Sequence, residues 1–335
     1  MNSHPWDRTN VLVTGGSGYL GAHLVRQLQQ RGAFVRILDL NPPPDDLNKT
    51  EFTKGDIRDA SLVGAVTAHA THVFNAAAKA GMWARDHQDF YSVNQVGSRN
   101  VFEAALGHRV QKVIHISAES VIKSRHAANH LLDESTSPSL NDLIGDYCKG
   151  KFLAEQEAIK AAERGLNITI VNPTMPIGPG DKTPTPPTRM MRGYATQELT
   201  AYLETSLNVV DPRDAAKGML LAAQRGKKGH RYLLGGENIA LSKLLEKYEA
   251  LSGIPMPKRQ VPYWLALSYS LLSEGLIARL THRPPKAPIT GVRLAKNSLR
   301  FSSKKARQEL GFTTRPLEDS LRDQLTWFRS QGWIQ

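Results

Sequence analysis

Cys148 is the only cysteine in 335 residues, so no internal disulfide can form, and a lone thiol fits a reducing compartment. Residues Met1 to Asn10 hold Trp6 but no apolar run, so no secretory leader is expected. The apolar stretch Val261 to Leu280 is interrupted by Glu274, Arg279, Gly275 and several serines, which disfavours a membrane-spanning helix. His126 and His130 have no cysteine partners at zinc-ligand spacing, so no metal is expected. No helix-turn-helix, zinc or RNA-binding signature accompanies the net charge of +12, so nucleic acid is not expected as a partner. Acidic residues are scarce at one end: Leu251 to Gln335 holds 14 Lys and Arg against 5 Asp and Glu. Such a region suits a solvated basic surface, an anionic lipid or an anionic substrate. With 40% hydrophobic and 22% charged residues, the chain is neither disordered nor collagen-like nor a multi-span membrane protein. Its length suits one large α/β unit or two packed lobes.

Short β-branched runs alternate with helical segments through the first half. Val11–Thr14, Phe34–Leu38, a run opening at Val73-Phe74, Val113–Ile116 and Ile168–Val171 read as strands. Leu20–Gln30, Asp89–Leu106 and Asp146–Arg164 read as helices between them. That alternation implies a parallel sheet with helices on both faces. Asn172 to Thr188 is proline-rich and reads as a loop. Tyr232–Gly236 offers one more strand, and the segments beyond it read as helical. The expected division is a nucleotide domain over 8–175 with a return segment near 207–236, and a substrate lobe over 176–206 and 237–335.

Thr14-Gly15-Gly16-Ser17-Gly18-Tyr19-Leu20-Gly21 joins the first strand to the first helix. Glycines at 15, 18 and 21 permit a tight turn, close approach of a pyrophosphate and close helix–strand packing, and the helix N-terminus then faces the phosphates. Asp39 follows Gly21 by 18 residues, where an acid receives the adenosine ribose hydroxyls. No arginine follows it, so NAD is expected over NADP. Gly55-Asp56-Ile57 lies where an adenine-contacting loop would fall. Tyr147 and Lys151 share one helix face at i, i+4. A phenol with a pKa of about 10 is a poor base, and a neighbouring ammonium is expected to lower it toward use in proton exchange.

Taken together, these segments resemble the extended short-chain dehydrogenase/reductases, the NAD-dependent epimerase/dehydratase family. Thr14–Gly21, Asp56-Ile57, Asn75-Ala76-Ala77-Ala78, Asn94 and Tyr147–Lys151 occur in the family order nearly end to end. The resemblance implies a doubly wound Rossmann fold with a smaller, mainly helical C-terminal lobe. It implies an NAD-dependent enzyme transferring hydride at a secondary alcohol or ketone carbon. Tyr147 would be the acid/base, Lys151 would bind the nicotinamide ribose and tune Tyr147, and Asn94 would hold a relay water. Gly15, Gly18, Tyr19, Leu20, Gly21, Asp39, Asp56, Ile57, Ala76, Ala77 and Pro173 would contact the cofactor.

Asn172 to Pro186, Leu207–Val210 and Tyr232–Asn238 are similar to hopanoid-associated sugar epimerases and dihydroflavonol reductase-like proteins, implying a sugar nucleotide or related polar substrate. Ala77-Ala78-Lys79-Ala80-Gly81-Met82-Trp83 is closer to 3β-hydroxysteroid dehydrogenase-like and 2-alkyl-3-oxoalkanoate reductase-like proteins, implying a lipid-like one. The chain departs from the family at Ile116-Ser117-Ala118-Glu119-Ser120, where alanine replaces a substrate-binding hydroxyl. Ser117 or Ser120 is expected to serve instead; failing both, the chain is a catalytically weak NAD-binding protein. Asp211 and Arg213 stand where the epimerase-like pattern more often has His and Asp. The preferred reading of Val261–Leu280 is a helix packed in the substrate lobe. The alternative is an interfacial helix with basic anchors, a peripheral membrane contact through 258–286. A cytoplasmic location, at most peripheral to the inner face of a membrane, and a homodimer complete the expectations.

Overall fold

Val11 and Val13 point to one side of the first strand and Leu12 to the other, and all three are buried. A strand apolar on both faces belongs inside a parallel sheet covered on both sides. The computed structural model describes residues 6–124, 131–278, 284–285 and 287–334. His126, His130, Arg279, Arg283 and Lys286 lie outside the described residues. Seven strands form one parallel sheet: β1 (Asn10–Thr14), β2 (Phe34–Asp39), β3 (Glu51–Lys54), β4 (His72–Asn75), β5 (Lys112–Ile116), β6 (Ile168–Pro173) and β7 (Arg231–Leu234). Their spatial order is β7-β6-β5-β4-β1-β2-β3. The order reverses between β1 and β4, which is where doubly wound sheets open a crevice for ligands.

Helices cover both faces. On one side α1 (Tyr19–Gln29) and α6 (Pro212–Arg225) bury Leu24, Leu28, Ala216 and Met219 against Val11, Val13 and Ile114. On the other, α2 (Ala60–Thr67), α3 (Asp89–Tyr91, Ser92–Gly97 and Ser98–Gly107) and α4 (Gly145–Glu163) bury Val63, Phe102 and Ala158 against Leu12, Val73 and Ile168. Helix α3 runs on through these three segments. Its middle segment is a π-bulge, a widened turn that recurs at functional sites.

A second lobe packs α5 (Pro186–Ala195), α7 (Leu241–Ser252) and α10 (Leu317–Ser330) around a core holding Met191, Leu244, Tyr248, Leu321 and Phe328. A three-stranded sheet of Met175–Pro176, Ser206–Val210 and Glu237–Ala240 lies beside it. Within 207–236, α6 and β7 belong to the large sheet and its covering layer, whereas Ser206–Val210 belongs to this small sheet.

The Val261–Leu280 stretch does form a helix, α8 (Tyr263–Leu272), continued by a π turn over Ser273–Ala278. Contrary to the packed-helix expectation, its large side chains lie outside the lobe's core, with Trp264 67% exposed and Leu272 64% exposed. A short helix, α9 (Ile289–Ala295), returns beside it. No described helix is long and apolar enough to cross a membrane.

Candidate functional site

The C-terminal end of β1 turns sharply at Gly15, whose φ of +70° lies in the left-handed region that favours glycine. A Cβ there would lie 2.5 Å from the Ala77 backbone nitrogen, and one on Gly21 would lie 2.0 Å from the Gly15 carbonyl oxygen. The loop is thus folded tightly onto itself and onto Ala76-Ala77 at the end of β4. Gly18 differs: it is exposed, and a Cβ there would meet only the Gly15 oxygen, at 3.3 Å. It caps α1 without any side-chain cap, and the first turn of α1 holds no acid. Free N–H groups and the positive end of the helix dipole therefore face the crevice through a glycine, which is what a pyrophosphate requires. Asp39 Oδ2 accepts from Ser17 N at 3.1 Å and Oδ1 accepts from Asn41 N at 3.1 Å, fixing the acid at the end of β2 beside this loop. The Ser17 hydroxyl is buried without a partner. These features fit a dinucleotide.

Three more of the expected cofactor residues have internal partners. Asp56 is engaged by Arg58, whose Nε and Nη2 donate to Oδ2 at 3.0 and 2.6 Å. The Arg58 hydrogen bonds hold this carboxyl below its ordinary range. Ile57 is buried against Gly97, and Tyr19 Oη donates to Gly178 O at 2.8 Å. Leu20 follows Tyr19 in the first turn of α1, and Pro173 is buried at the end of β6. Tyr19 is raised well above an ordinary phenol by burial, and next by Asp181 and Asp211, so it remains a neutral donor.

Helix α4 carries Tyr147 and Lys151 against α3. Gly150, between them, permits the contact: a Cβ there would lie 2.2 Å from Phe90 O and 3.4 Å from Asn94 Nδ2. Tyr147 is half-buried, with its ring edge-on to Phe90 at 6.2 Å. Asn94, in the π-bulge, accepts from Lys79 N at 2.8 Å and donates to Lys79 O at 3.2 Å. Its amide thereby pins the loop that leaves β4.

Lys151 is buried, and its Nζ donates to Ile116 O at 2.7 Å. Burial pushes its ammonium down to about 8, with Glu155 opposing. The phenol differs from the sequence-based expectation of a depressed value. Burial first, then Glu119 and Cys148, raise it, so Tyr147 carries its proton throughout the neutral range. Cys148 is buried and pushed up to about 12, so its thiol is inert.

Ala118 precedes a 3₁₀ turn over Glu119–Ile122, and the hydroxyls of its neighbours Ser117 and Ser120 are both buried without a hydrogen-bond partner of normal geometry. Such orphaned hydroxyls are costly unless something meets them. Ser120 lies near the Cys148 thiol, while Ser117 extends β5 by donating its N–H to Val171 O.

A buried chain of polar groups went unread in the sequence. Glu155, one turn beyond Lys151, accepts from Asn172 Nδ2 at 2.6 Å and pairs with Arg231 Nη2 at 2.8 Å. Its i+8 spacing from Tyr147 was the available signal. Asp146 likewise receives Tyr91 Oη at 2.6 Å and faces His87 Nδ1 at 2.6 Å. Asp211 and Arg213 sit apart from these groups: Asp211 caps α6 through Arg213 N and pairs with the Arg213 guanidinium at 2.7 Å.

The sequence profile of the NAD dependent epimerase/dehydratase family matches residues 11–235. A Synechocystis sp. protein provisionally named dihydroflavonol 4-reductase is 36% identical over 96% of this chain and 95% of its own length. Sterol demethylase protein B of Methylococcus capsulatus is 32% identical over 97% of this chain and 99% of its own. The crystal structure of gox2253 superposes with a TM-score of 0.85 at 33% identity, covering 98% of this chain and 100% of that one.

Proposed function

Given that the chain belongs to the NAD dependent epimerase/dehydratase family, we propose that it reduces or oxidises a hydrophobic, lipid-like ketone/alcohol pair at a secondary carbon. It is an extended short-chain-type enzyme that works by hydride transfer. The observation that carries the assignment of roles is the packing of α4 on α3 through Gly150, which holds Tyr147, Lys151 and Asn94 in one rigid unit.

The glycine loop and the free end of α1 would hold the pyrophosphate, and Asp39 would receive the adenosine ribose. NAD is preferred over NADP because the acid repels a 2′-phosphate. Bound at the switch point, the dinucleotide supplies a hydride donor or acceptor. Tyr147 Oη is protonated at neutral pH, so in reduction it would give its proton to the carbonyl oxygen as hydride reaches the carbon, leaving the phenolate. Oxidation is the reverse and starts from that phenolate, which takes up the hydroxyl proton. The buried Lys151 ammonium, held at Ile116 O, would bind the nicotinamide ribose and offset charge developing at the phenol. Ser117, with a free hydroxyl beside Ala118, orients the reacting oxygen.

Two observations favour a lipid-like substrate. The pinned loop after β4 holds the half-buried Met82 and Trp83, the latter lining a cavity, and the 32% identical relative is named for sterol demethylation. The stretch that resembles sugar epimerases is spent on internal contacts. Asp181 accepts from Thr185 N and Oγ1, both at 2.7 Å, while Gly178 and Pro179 carbonyls bind Tyr19 and His23 of α1. A sugar nucleotide is the second reading, resting on that same resemblance.

The test is an NADH assay with hydroxysteroids or 3-oxo lipids on one side and UDP-sugars on the other. Turnover of the lipids with release of NADH or NAD supports the reading. Interconversion of UDP-sugars without free NADH overturns the substrate class. A Tyr147→Phe variant that retains most of the rate overturns the assigned acid/base.

A further inference from the structure

Helix α8 is built inside out. Among the described residues nine large apolar side chains are exposed, and six of them (Trp264, Leu265, Tyr269, Leu271, Leu272 and Leu276) lie on α8 and the turn that extends it. At about 100° per residue they fall within one arc of roughly 160°. Ser268 and Gly275 complete that arc, and no described residue places a charge in it. The inward side of the same helix buries Ser270 and Ser273. A helix serving only the lobe's core would be turned the other way.

The surroundings of this face are basic. Between Lys258 and Arg300 the sequence holds eight Lys and Arg and one acid, Glu274. Lys258, Arg259, Arg293, Lys296 and Arg300 are exposed, whereas Glu274 turns back to accept from Ile289 N at 2.7 Å. Lys296 also sits over the Tyr263 ring at 5.6 Å, which fixes a cation at the rim.

The placement relates this face to the catalytic cleft. Thr290 of α9 presses on Gly145, the first residue of α4, so closely that a Cβ there would meet it at 2.5 Å. A cavity of about 460 Å³ separates the loop bearing Trp83, Arg85 and His87 from Glu274, Gly275 and Ile289. His87 in turn contacts Asp146, the neighbour of Tyr147.

We propose that the outward face of α8, with its basic rim, docks the protein on an anionic lipid bilayer, lying in the interface without spanning it. Apolar side chains enter the acyl boundary while the rim meets lipid phosphates, as for other amphipathic interfacial helices. Docked in this way, the cavity between α8 and the Trp83 loop opens at the membrane surface. A second copy of the chain is a poorer occupant, because two such rims would meet with like charge. The binding step needs no turnover, so it stands or falls separately from the catalytic assignment.

The test is sedimentation of the full chain with phosphatidylglycerol–phosphatidylcholine vesicles and with pure phosphatidylcholine vesicles. Binding to the anionic vesicles should exceed binding to the neutral ones by about tenfold or more and weaken with salt. Trp264→Ser combined with Leu272→Ser and Leu276→Ser should lower it by at least about tenfold, with an unchanged melting temperature reporting an intact fold. Tyr147→Phe should bind vesicles like the wild type. Equal binding to both vesicle types, or a triple variant that binds as well as the wild type, overturns the proposal. So does a dimer in solution that the triple variant converts to monomer.

Discussion

Helices α4 and α8 break the rule of apolar residues inside and charges outside, and they break it in opposite directions. Helix α4 buries Lys151 and Glu155, and every such charge has an answer: Ile116 O for the lysine, Asn172 and Arg231 for the glutamate. Helix α8 buries serines and exposes tryptophan and leucine, and no described residue covers them. A buried charge with built partners marks a candidate working site only where, as on α4, it lies beside the nucleotide crevice. An uncovered apolar face identifies a surface whose partner lies outside the chain.

Substitutions should separate the two helices sharply. The largest effect is expected for Tyr147→Phe, which should lower turnover by roughly 10²- to 10⁴-fold while leaving NAD affinity nearly intact; calorimetric titration beside the rate assay checks both. Next comes Glu155→Leu. It strands Arg231 and should cost roughly 3–5 kcal/mol of stability, read from denaturant unfolding, because one partner of a buried pair is removed. Lys151 gives a smaller effect that is set by pH. Its ammonium is lost near 8, so raising the pH from about 7 to about 9 should weaken turnover by about tenfold. Stability should move the other way over that window. The folded value lies below the unfolded one, so the folded state holds fewer protons and gains stability as the pH climbs from about 8 toward about 10.4. The smallest effect belongs to α8: Trp264→Ser should shift stability by no more than about 0.5 kcal/mol, the range of ordinary surface changes. A large loss there would mean the helix is core after all, and the contrast with α4 would fail.

The legible parts of the chain were those where local pattern and burial agree. β1 follows from a short continuous apolar run, α1 from helical spacing, and the glycine turn from the conformational needs of Gly15. β3 was missed because Glu51-Phe52-Thr53-Lys54 sits at the sheet edge, half exposed and mostly polar. The Tyr147–Lys151 pair was visible, but its electrostatics were not: spacing suggested a lowered phenol, and burial with Glu119 nearby raised it. Glu155 escaped notice because its partners come from β6 and β7, distant in sequence. For α8 the apolar run was plain, yet which side faced outward depended on what the lobe left uncovered.

The hydrogen bond from Tyr19 to Gly178, seconded by His23 at the Pro179 carbonyl, bears on how the molecule comes apart. Tyr19 belongs to the turn proposed to hold the nucleotide phosphates, and Gly178 lies between β6 and α5 of the second lobe. A nucleotide settling on that turn therefore also steadies the joint to the lobe. The two bodies should lose their structure in a single cooperative transition whose midpoint rises with nucleotide concentration, and cutting the joint with Tyr19→Phe should begin to split that transition in two.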